Sequence, residues 1–427
     1  MTLGACASSP THVHSKDAGE DAPVADGHGG PSATDVDDSS AAESSPDTST
    51  DAGADSSTPV VEGGDGSMVV AADGGASAAD VDAGSCPTSP DAGAPSGPDD
   101  VMFLPNVTVG LVAGTDVAGS TDGTVAQALF SNPVSVILEP AGSLIVCDFQ
   151  NNALRRITTP TATVAVSTLT KQTGFYLPYG MTYGTDGTLY VDTDYNTVPV
   201  KSQTSGTIWR VNSTTGAATV VAQNLGRPRG LATLSDGRLV LGDYENQRVR
   251  LLDPTTGAVT DLAGHVGCAG LVNANGSNAL FNTPYGVGVL ANGTILVADS
   301  GNHVIRAVSA TGDVTTYAGD GGDGTVDGPR LSSRFSSPTA LSIDAAGDVF
   351  VADYGAHRIR RVAADGTVTT VAGDGTGGYT NGAGSAAELY GVEGITVTPD
   401  GKTLFVADGS LGNAVPFNRV RVITIGP

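Results

Sequence analysis

The first hundred residues of this 427-residue chain lack the side chains that fill a folded core. They contain no Phe, Tyr or Trp, and a single Lys stands against 19 acidic residues. Such a segment buries too little apolar surface to offset the entropy of ordering its backbone. We therefore predict a disordered acidic tail, rich in Asp, Ser, Gly and Pro, over residues 1–100, and one folded domain over 101–427.

Positive charge and long apolar runs are also scarce. The formal net charge is −25, and neither the tail nor the remaining chain carries a surplus of Lys and Arg. This balance argues against a nucleic-acid partner, because phosphate backbones are bound mainly by basic side chains. No stretch approaches the roughly 18 apolar residues that a membrane-spanning helix needs. Any membrane contact is therefore expected to come from an anchor.

Leu3-Gly4-Ala5-Cys6 has the form of a lipobox, the end of a bacterial lipoprotein signal peptide. Acylation of Cys6 would tether the protein to a membrane face. The charged and apolar regions of a signal peptide do not precede the motif, so either the true start lies upstream or the match is chance. The Asp-Ala-Gly repeats that follow resemble the spacers of Gram-negative surface lipoproteins. They favour a location at the cell envelope, either anchored at the outer membrane or secreted.

The three other cysteines, Cys86, Cys147 and Cys268, do not have the spacing of a zinc site. Cys147 lies inside an apolar run and is expected to be a small buried hydrophobe. Cys86 and Cys268 lie in a linker and a loop. They could form a disulfide if the protein is exported, and the sequence leaves this pairing open.

Six segments of residues 101–427 repeat one pattern, which settles the predicted fold. Each begins with Pro-x-small and has a first apolar run, a second that ends in Asp and a third that carries Arg. The segments begin at Pro133, Pro178, Pro228, Pro284, Pro338 and Val392, the last replacing the proline. Asx-Gly pairs between the first and second runs favour tight hairpins, and a fourth short run follows. Four antiparallel strands per repeat are typical of a propeller blade.

The two ends of the repeat region complement each other. The last repeat stops after its third strand, at residues 419–423, whereas an unmatched fourth-strand sequence, residues 107–114, precedes the first repeat. Pairing these two pieces closes the ring and removes both exposed edges. The sequence thus predicts an all-β, six-bladed propeller in which an N-terminal strand completes the last blade.

Two segments closely resemble the NHL repeat: ADSGNHVIR at 298–306 and ADYGAHRIR at 352–360. The resemblance extends over residues 101–427. The chain as a whole resembles bacterial NHL-repeat surface lipoproteins. It is weakest in blade 2, where Trp209 replaces the repeat Arg. Because the Asp and Arg recur in nearly every blade, we interpret them as scaffold: a turn-capping Asp and an Arg packed between neighbouring blades.

One acidic loop raises the question of a cofactor. Asp320, Asp323 and Asp327 lie close together in a Gly-rich segment and could bind calcium. The spacing is not that of an EF-hand loop, and no bidentate Glu follows. We favour a solvated loop and predict no cofactor.

The residue after each repeat's first position is expected near the mouth of the central channel. That ring consists of Val134, Tyr179, Arg229, Tyr285, Thr339 and Glu393. One acid, one base and two phenols do not make a metal cage, and no catalytic triad is visible. The candidate ligand-binding residues are therefore Tyr179, Arg229, Tyr285 and Glu393, joined on the same face by Phe149, Tyr244 and Tyr354. The alternative is that the three outer aromatic residues only pack against the loops between blades.

These features favour a non-catalytic binding module at the bacterial envelope that presents one propeller face to a protein or glycan. The resemblance implies an alternative, a metal-dependent hydrolase or lyase of the gluconolactonase kind, with its site at the channel mouth and Glu393 as a ligand. Propellers host both classes, so the fold alone does not decide. The partner and the oligomeric state stay open.

Overall fold

The computed structural model describes residues 86–87, 99–158, 164–195, 204–409 and 417–427. The predicted tail, apart from four of its residues, lies outside these ranges, and so does Cys6 with its lipobox. Both stay predictions, as does the division of the chain at residue 100. No helix in the described ranges is long and apolar enough to cross a membrane.

The strands follow the predicted repeats. Strand β1 spans Val107–Thr115. Blade 1 contains β2 (Gly123–Thr124), β3 (Pro133–Leu138), β4 (Leu144–Asp148), β5 (Ala153–Thr158) and β6 (Ala165–Thr170). Blade 2 contains β7 (Tyr176–Tyr183), β8 (Leu189–Tyr195), β9 (Thr207–Val211) and β10 (Ala218–Gln223). Blade 3 contains β11 (Pro228–Thr233), β12 (Leu239–Asp243), β13 (Arg248–Leu252) and β14 (Val259–Gly264).

The second half of the ring repeats this arrangement. Blade 4 contains β15 (Pro284–Val289), β16 (Ile295–Asp299), β17 (Val304–Val308) and β18 (Val314–Ala318). Blade 5 contains β19 (Gly328–Pro329), β20 (Pro338–Ile343), β21 (Val349–Asp353), β22 (Arg358–Val362) and β23 (Thr367–Ala372). Blade 6 contains β24 (Gly382–Ala383), β25 (Val392–Val397), β26 (Thr403–Asp408) and β27 (Asn418–Ile425). Short 3₁₀ turns occupy Phe149–Asn151, Gly276–Asn278, Ser300–Asn302 and Gly384–Ala386.

The ring closes as predicted. Strand β1 pairs antiparallel with β27 from Val107 opposite Ile425 to Thr115 opposite Asn418, with one bulge after Leu111. This pairing joins the two ends of the folded chain into one sheet, in the order β24-β1-β27-β26-β25. The prediction of an all-β, six-bladed propeller with a composite last blade is confirmed.

The Pro-x-small signature has a packing cause at the centre of the ring. A Cβ atom on Gly230 would lie 2.6 Å from the Tyr285 carbonyl oxygen, and one on Gly286 would lie 2.5 Å from that of Thr339. The same holds at Gly394, where a Cβ would lie 2.5 Å from the Val134 carbonyl oxygen. Neighbouring inner strands thus approach so closely at this position that only a small residue fits.

The recurrent Asp and Arg form a buried ion pair inside each of four blades. The N–O distances are 2.7 Å for Asp148–Arg155, 2.8 Å for Asp299–Arg306, 3.1 Å for Asp353–Arg360 and 2.8 Å for Asp408–Arg421. We call the loop that joins one blade to the next a connector. In blade 4, Arg306 also donates to the carbonyl oxygens of Leu280 and Val272, which lie in the connector from blade 3. The Arg therefore does not simply pack between blades, as the sequence predicted, but fastens each connector to its blade.

Cys86 and Cys268, whose pairing the sequence left open, form a disulfide. Cys147 is buried and unpaired, as expected for a small hydrophobe. Because Cys268 lies four residues after the end of β14, the disulfide fixes the incoming chain beside the outer part of blade 3.

Arg306→Met is expected to reduce the free energy of unfolding by about 3–5 kcal/mol, because it leaves the Asp299 carboxylate buried without its partner. Arg238→Met is the matched control: Arg238 pairs with Asp236 on the surface, with side chains 43% and 49% exposed. Its loss is expected to stay within about 1 kcal/mol. Urea unfolding, followed by the fluorescence of Trp209, measures both. Equal losses in the two variants would contradict the scaffold role.

Candidate functional site

Four of the predicted ring residues meet across the channel. The Tyr179 hydroxyl donates to Glu393 Oε2 at 2.6 Å, which links blade 2 to blade 6. The Arg229 guanidinium carbon lies 4.2 Å from the centre of the Tyr179 ring, and the Tyr285 and Tyr179 ring centres are 5.7 Å apart. All four side chains are buried. This mouth cluster, Tyr179, Arg229, Tyr285 and Glu393, closes the channel on the face where the connectors enter.

The three outer aromatic residues surround the mouth cluster. Phe149 is buried, with its ring centre 6.0 Å from that of Tyr179, and Tyr244 lies 5.1 Å from Tyr285. Tyr244 and Tyr354 are half-buried. Burial, and to a smaller extent the charge of Glu393, raises the pKa of Tyr354. The structure thus brings six of the seven predicted residues together through direct contacts, and Tyr244 and Tyr354 are both partly exposed.

Behind the mouth cluster the channel is lined by both apolar and polar residues, the latter including Ser135, Ser342 and Thr396. A cavity of about 150 Å³ begins at Tyr179, Arg229 and Glu393 and continues along the inner strands. Its wall includes one apolar residue from each blade: Val136, Met181, Leu231, Val287, Leu341 and Ile395.

The structure adds Asp194, which the sequence analysis missed. In blade 2 the second strand does not turn after the repeat Asp but continues to Tyr195. This extension buries Asp194 completely, where it lies 3.2 Å from Arg229 and 3.3 Å from Arg227. The Asp-Thr-Asp sequence at 192–194 was a visible departure from the repeat that could have signalled it.

Blade 2 also loses the scaffold ion pair. Trp209 occupies the Arg position, and its indole N–H donates to Thr193 Oγ1 at 2.8 Å. Asp192 Oδ1 accepts the Gly180 N–H at 2.9 Å, whereas Oδ2 has no hydrogen-bond partner among the described residues. Burial raises the pKa of Asp192 well above its ordinary value. Asp192 is therefore a neutral acid, held against the inner strand of its own blade.

The protonation states favour recognition by hydrogen bonds. Burial raises the pKa of Tyr285 to about 12 and that of Tyr179 well above its usual range, so both phenols stay neutral donors. Burial also raises the pKa of Glu393, against the hydrogen bond from Tyr179 and the charge of Arg229. Within the described ranges, Arg229 Nε and Nη1 and Asp194 Oδ1 have no hydrogen-bond partner. The site thus combines aromatic rings with enclosed polar atoms that no described residue satisfies.

The residues of the acidic loop diverge. Asp320 bonds Arg334 at 2.9 Å, and Asp323 lies 3.7 Å from His303. Asp327 is buried, where it accepts the Met102 N–H at 2.6 Å and pairs with Arg360, so the solvated-loop interpretation is wrong for this residue. Across the described ranges, no three His, Cys, Asp or Glu side chains are grouped as a metal site requires.

Fold and site together define the class of the protein, a six-bladed β-propeller with a polar and aromatic cluster at one channel mouth. The NHL repeat family model matches residues 225–250 and 335–362, in blades 3 and 5. The chain is thus a six-bladed β-propeller in which two blades carry NHL repeats.

Two curated relatives and one solved structure show how far the similarity extends. Protein SUPPRESSOR OF QUENCHING 1, chloroplastic, of Arabidopsis thaliana is 36% identical over 84 residues, which cover 20% of this chain and 8% of that protein. NHL repeat-containing protein 2 of Bos taurus is 34% identical over 147 residues, which cover 31% of this chain and 20% of that protein. The matches thus span a fifth or less of these relatives. An auxiliary nutrient binding protein from Bacteroides thetaiotaomicron shares the fold, with a TM-score of 0.59 and 20% identity over 74% of this chain and 76% of its own.

Asp192→Asn is expected to stabilise the protein at pH 7 but not at pH 4. The folded state holds the Asp192 proton more tightly than the unfolded chain, so this group's contribution to stability falls as the pH rises above about 4. A permanently neutral amide removes that loss. Urea unfolding at the two pH values measures the effect.

Asp299→Asn, at the same repeat position, is the control. It leaves Arg306 as a buried, unpaired cation, so we expect a loss of about 3–5 kcal/mol at pH 7. A similar loss in Asp192→Asn would contradict the neutral state of Asp192.

Proposed function

We propose that this protein is a non-catalytic binding module displayed at the bacterial cell envelope. Its connector face, the face of the propeller that carries the mouth cluster and the connectors, binds a protein or glycan. The observation that carries this proposal is the mouth cluster, in which Arg229 and Asp194 hold polar atoms that no described residue satisfies, beside aromatic rings. Buried polar groups normally have partners, and because these atoms are enclosed, bridging waters would carry their contact to a ligand held by the half-buried Tyr244 and Tyr354.

The cluster is held rigidly enough to bind without much reorganisation. Arg229 is fixed by Asp194 and by the rings of Tyr179 and Phe149, 4.2 and 5.5 Å from its guanidinium carbon. Side chains ordered before binding lose little entropy when a ligand arrives. The half-buried Tyr244 and Tyr354 supply the aromatic anchors that binding surfaces favour, and they flank the buried cluster.

The hydrolase or lyase alternative gains no specific support from this geometry. Glu393, its candidate metal ligand, already accepts the Tyr179 hydroxyl, and Arg229 lies close by. The phenols are neutral, and the one hydroxyl–carboxylate pair described among the seven site residues, Tyr179 with Glu393, is buried. The residues at the mouth are thus arranged to hold one another and a polar ligand.

The proposed location rests on the disulfide. Structural disulfides persist mainly in oxidising compartments such as the periplasm and the cell surface, so the Cys86–Cys268 bond supports export. Lipidation of Cys6 remains part of this proposal. The propeller from Bacteroides thetaiotaomicron that shares this fold is a nutrient binding protein, which is consistent with a binding role.

Tyr244→Ala and Tyr354→Ala are each expected to weaken binding about tenfold, the effect of removing an aromatic anchor. The measurement is binding of the purified full chain to an array of glycans and immobilised envelope proteins, followed by titration of the hits. Arg238→Ala, at the hairpin end of blade 3 on the opposite face, is the control and should bind normally. Unchanged affinity in both Tyr variants would exclude the connector face as the binding surface.

Removal of divalent metal separates the two functions. We expect binding to survive chelation, because none of its contacts requires a cation. Metal-dependent hydrolysis of lactones or esters that is lost in Glu393→Gln would instead establish the enzyme.

A further inference from the structure

Adjacent blades are joined by a hydrogen bond that recurs around the ring. In blades 1, 3 and 4, the residue just before the third strand has a positive φ, and its side chain accepts a backbone N–H at the start of the next blade. The bonds are Leu177 N–H to Asn152 Oδ1 at 2.9 Å, Thr283 N–H to Gln247 Oε1 at 2.6 Å, and Ser337 N–H to His303 Nδ1 at 3.1 Å. We call a side chain at this position that bonds the next blade a latch.

The His303 latch holds a strained residue in place. Ser337 has a φ of 54°, in the left-handed region that residues other than glycine adopt reluctantly. It directly precedes β20, whose second residue, Thr339, belongs to the ring at the channel mouth. Thr339 Oγ1 in turn donates to the Val392 carbonyl oxygen of blade 6 at 3.0 Å. The latch thus fixes the start of the inner strand of blade 5.

His303 differs from the Asn and Gln latches because its acceptor atom can take up a proton. A backbone N–H only donates, so the bond from Ser337 requires a neutral imidazole with its proton on Nε2. The amide oxygens of Asn152 and Gln247 do not titrate. Of these three latches, the one between blades 4 and 5 therefore depends on the protonation state of its side chain.

His357, at the same position in blade 5, provides an internal contrast. Its Nδ1 lies 2.8 Å from the carbonyl oxygen of Tyr390, two residues before β25. A carbonyl oxygen only accepts, so this Nδ1 carries the proton. A second proton would bind at Nε2 and leave the bond intact. His357 is therefore a latch that acid does not open.

A carboxylate lies beside His303 and can bind its protonated form. Asp323 Oδ1, in the connector between blades 4 and 5, is 3.7 Å from the same Nδ1 atom that accepts from Ser337. The Asp323 side chain is 58% exposed, and among the described acidic residues it alone forms an ion pair with His303. Burial lowers the pKa of His303, and the charge of Asp323 acts against this shift. A backbone donor and a carboxylate acceptor thus compete for one nitrogen.

We propose that His303 is an acid-sensitive latch between blades 4 and 5. In the neutral state, Nδ1 accepts the Ser337 N–H and fixes the start of β20. A proton taken up from solvent at Nδ1 turns this atom into a donor, which binds the Asp323 carboxylate, and the Ser337 N–H loses its acceptor. Acid therefore loosens the inner strand of blade 5 and, with it, the Thr339 side of the channel mouth.

The direction of the pH effect follows from the lowered pKa of His303. Because burial lowers this pKa, the folded state holds the proton less tightly than the unfolded chain does. The latch therefore makes its full contribution to stability above the ordinary histidine pKa of about 6.5, and the contribution falls as the pH drops below that value.

Hydrogen exchange of the full chain, read by mass spectrometry over residues 336–343, tests the proposal. Between about pH 7.5 and about pH 5, after correction for the intrinsic exchange rate, protection of this segment should fall about three- to tenfold, the effect of losing one hydrogen bond. His303→Asn is the matched variant, because Asn152 forms the same bond in blade 1, and it should keep its protection at both pH values. His357→Asn should respond to acid like the wild type.

Asp323→Asn tests the second partner of the imidazole. Without the carboxylate, His303 should take up its proton only at lower pH, so the loss of protection should begin further into the acid range than in the wild type. Equal losses in the wild type and in His303→Asn would overturn the proposal, because the change would then belong to other acidic groups. A response of Asp323→Asn identical to that of the wild type would overturn the exchange of partners.

Nitrogen-15 NMR of the histidine side chains locates the two protons directly. At about pH 7.5, His303 should carry its proton on Nε2 and His357 on Nδ1, with each signal assigned by its absence from the corresponding Asn variant. Acid should then add a proton to His303 at Nδ1. A neutral His303 that already holds its proton on Nδ1 would overturn the proposal, because that atom could not accept from Ser337.

Discussion

The close approach of six inner strands is the constraint on which the rest of this propeller depends. Where Gly230, Gly286 and Gly394 meet the carbonyl groups of the next blade, there is no room for a side chain. The residue before each small position must therefore lie at the channel mouth. Tyr179, Arg229, Tyr285 and Glu393 meet there because the ring closes tightly, and their contacts cross the channel. Packing at the centre of the fold thus creates the candidate site.

The site also depends on one break in the repeat. In four of the other blades a buried Asp–Arg pair fastens the connector to the blade, and each charge has its partner. Trp209 removes that Arg from blade 2, and the prolonged strand β8 brings Asp194 to the mouth instead. Arg229 is thereby paired from a neighbouring blade, which couples blade 3 to blade 2 beside the channel. A scaffold repeated around the ring thereby becomes asymmetric at the channel mouth.

The length of the connectors determines which outer strands of the propeller are covered. Long connectors protect the outer strands of blades 1, 4, 5 and 6, and their Arg contacts hold them in place. Residues 102–104 and the disulfide place the N-terminal chain along the same rim. Asp327 takes part in this arrangement, since it joins Met102 to Arg360 in blade 5. Cys86 and residues 99–104 are thus attached to the propeller before β1 begins.

The sequence by itself determined the six blades, the composite last blade and the positions of the ring residues, because strand pairing within a blade is local and repeats with the chain. It could not predict the Tyr179–Glu393 bond or the Cys86–Cys268 disulfide, which join residues 214 and 182 positions apart. Nor did it show that Asp327 is buried or that Asp194 reaches Arg229. Only the closed ring decides which side chains face one another across the channel. Those contacts depend on how the blades pack in space, and periodicity along the chain carries no record of it.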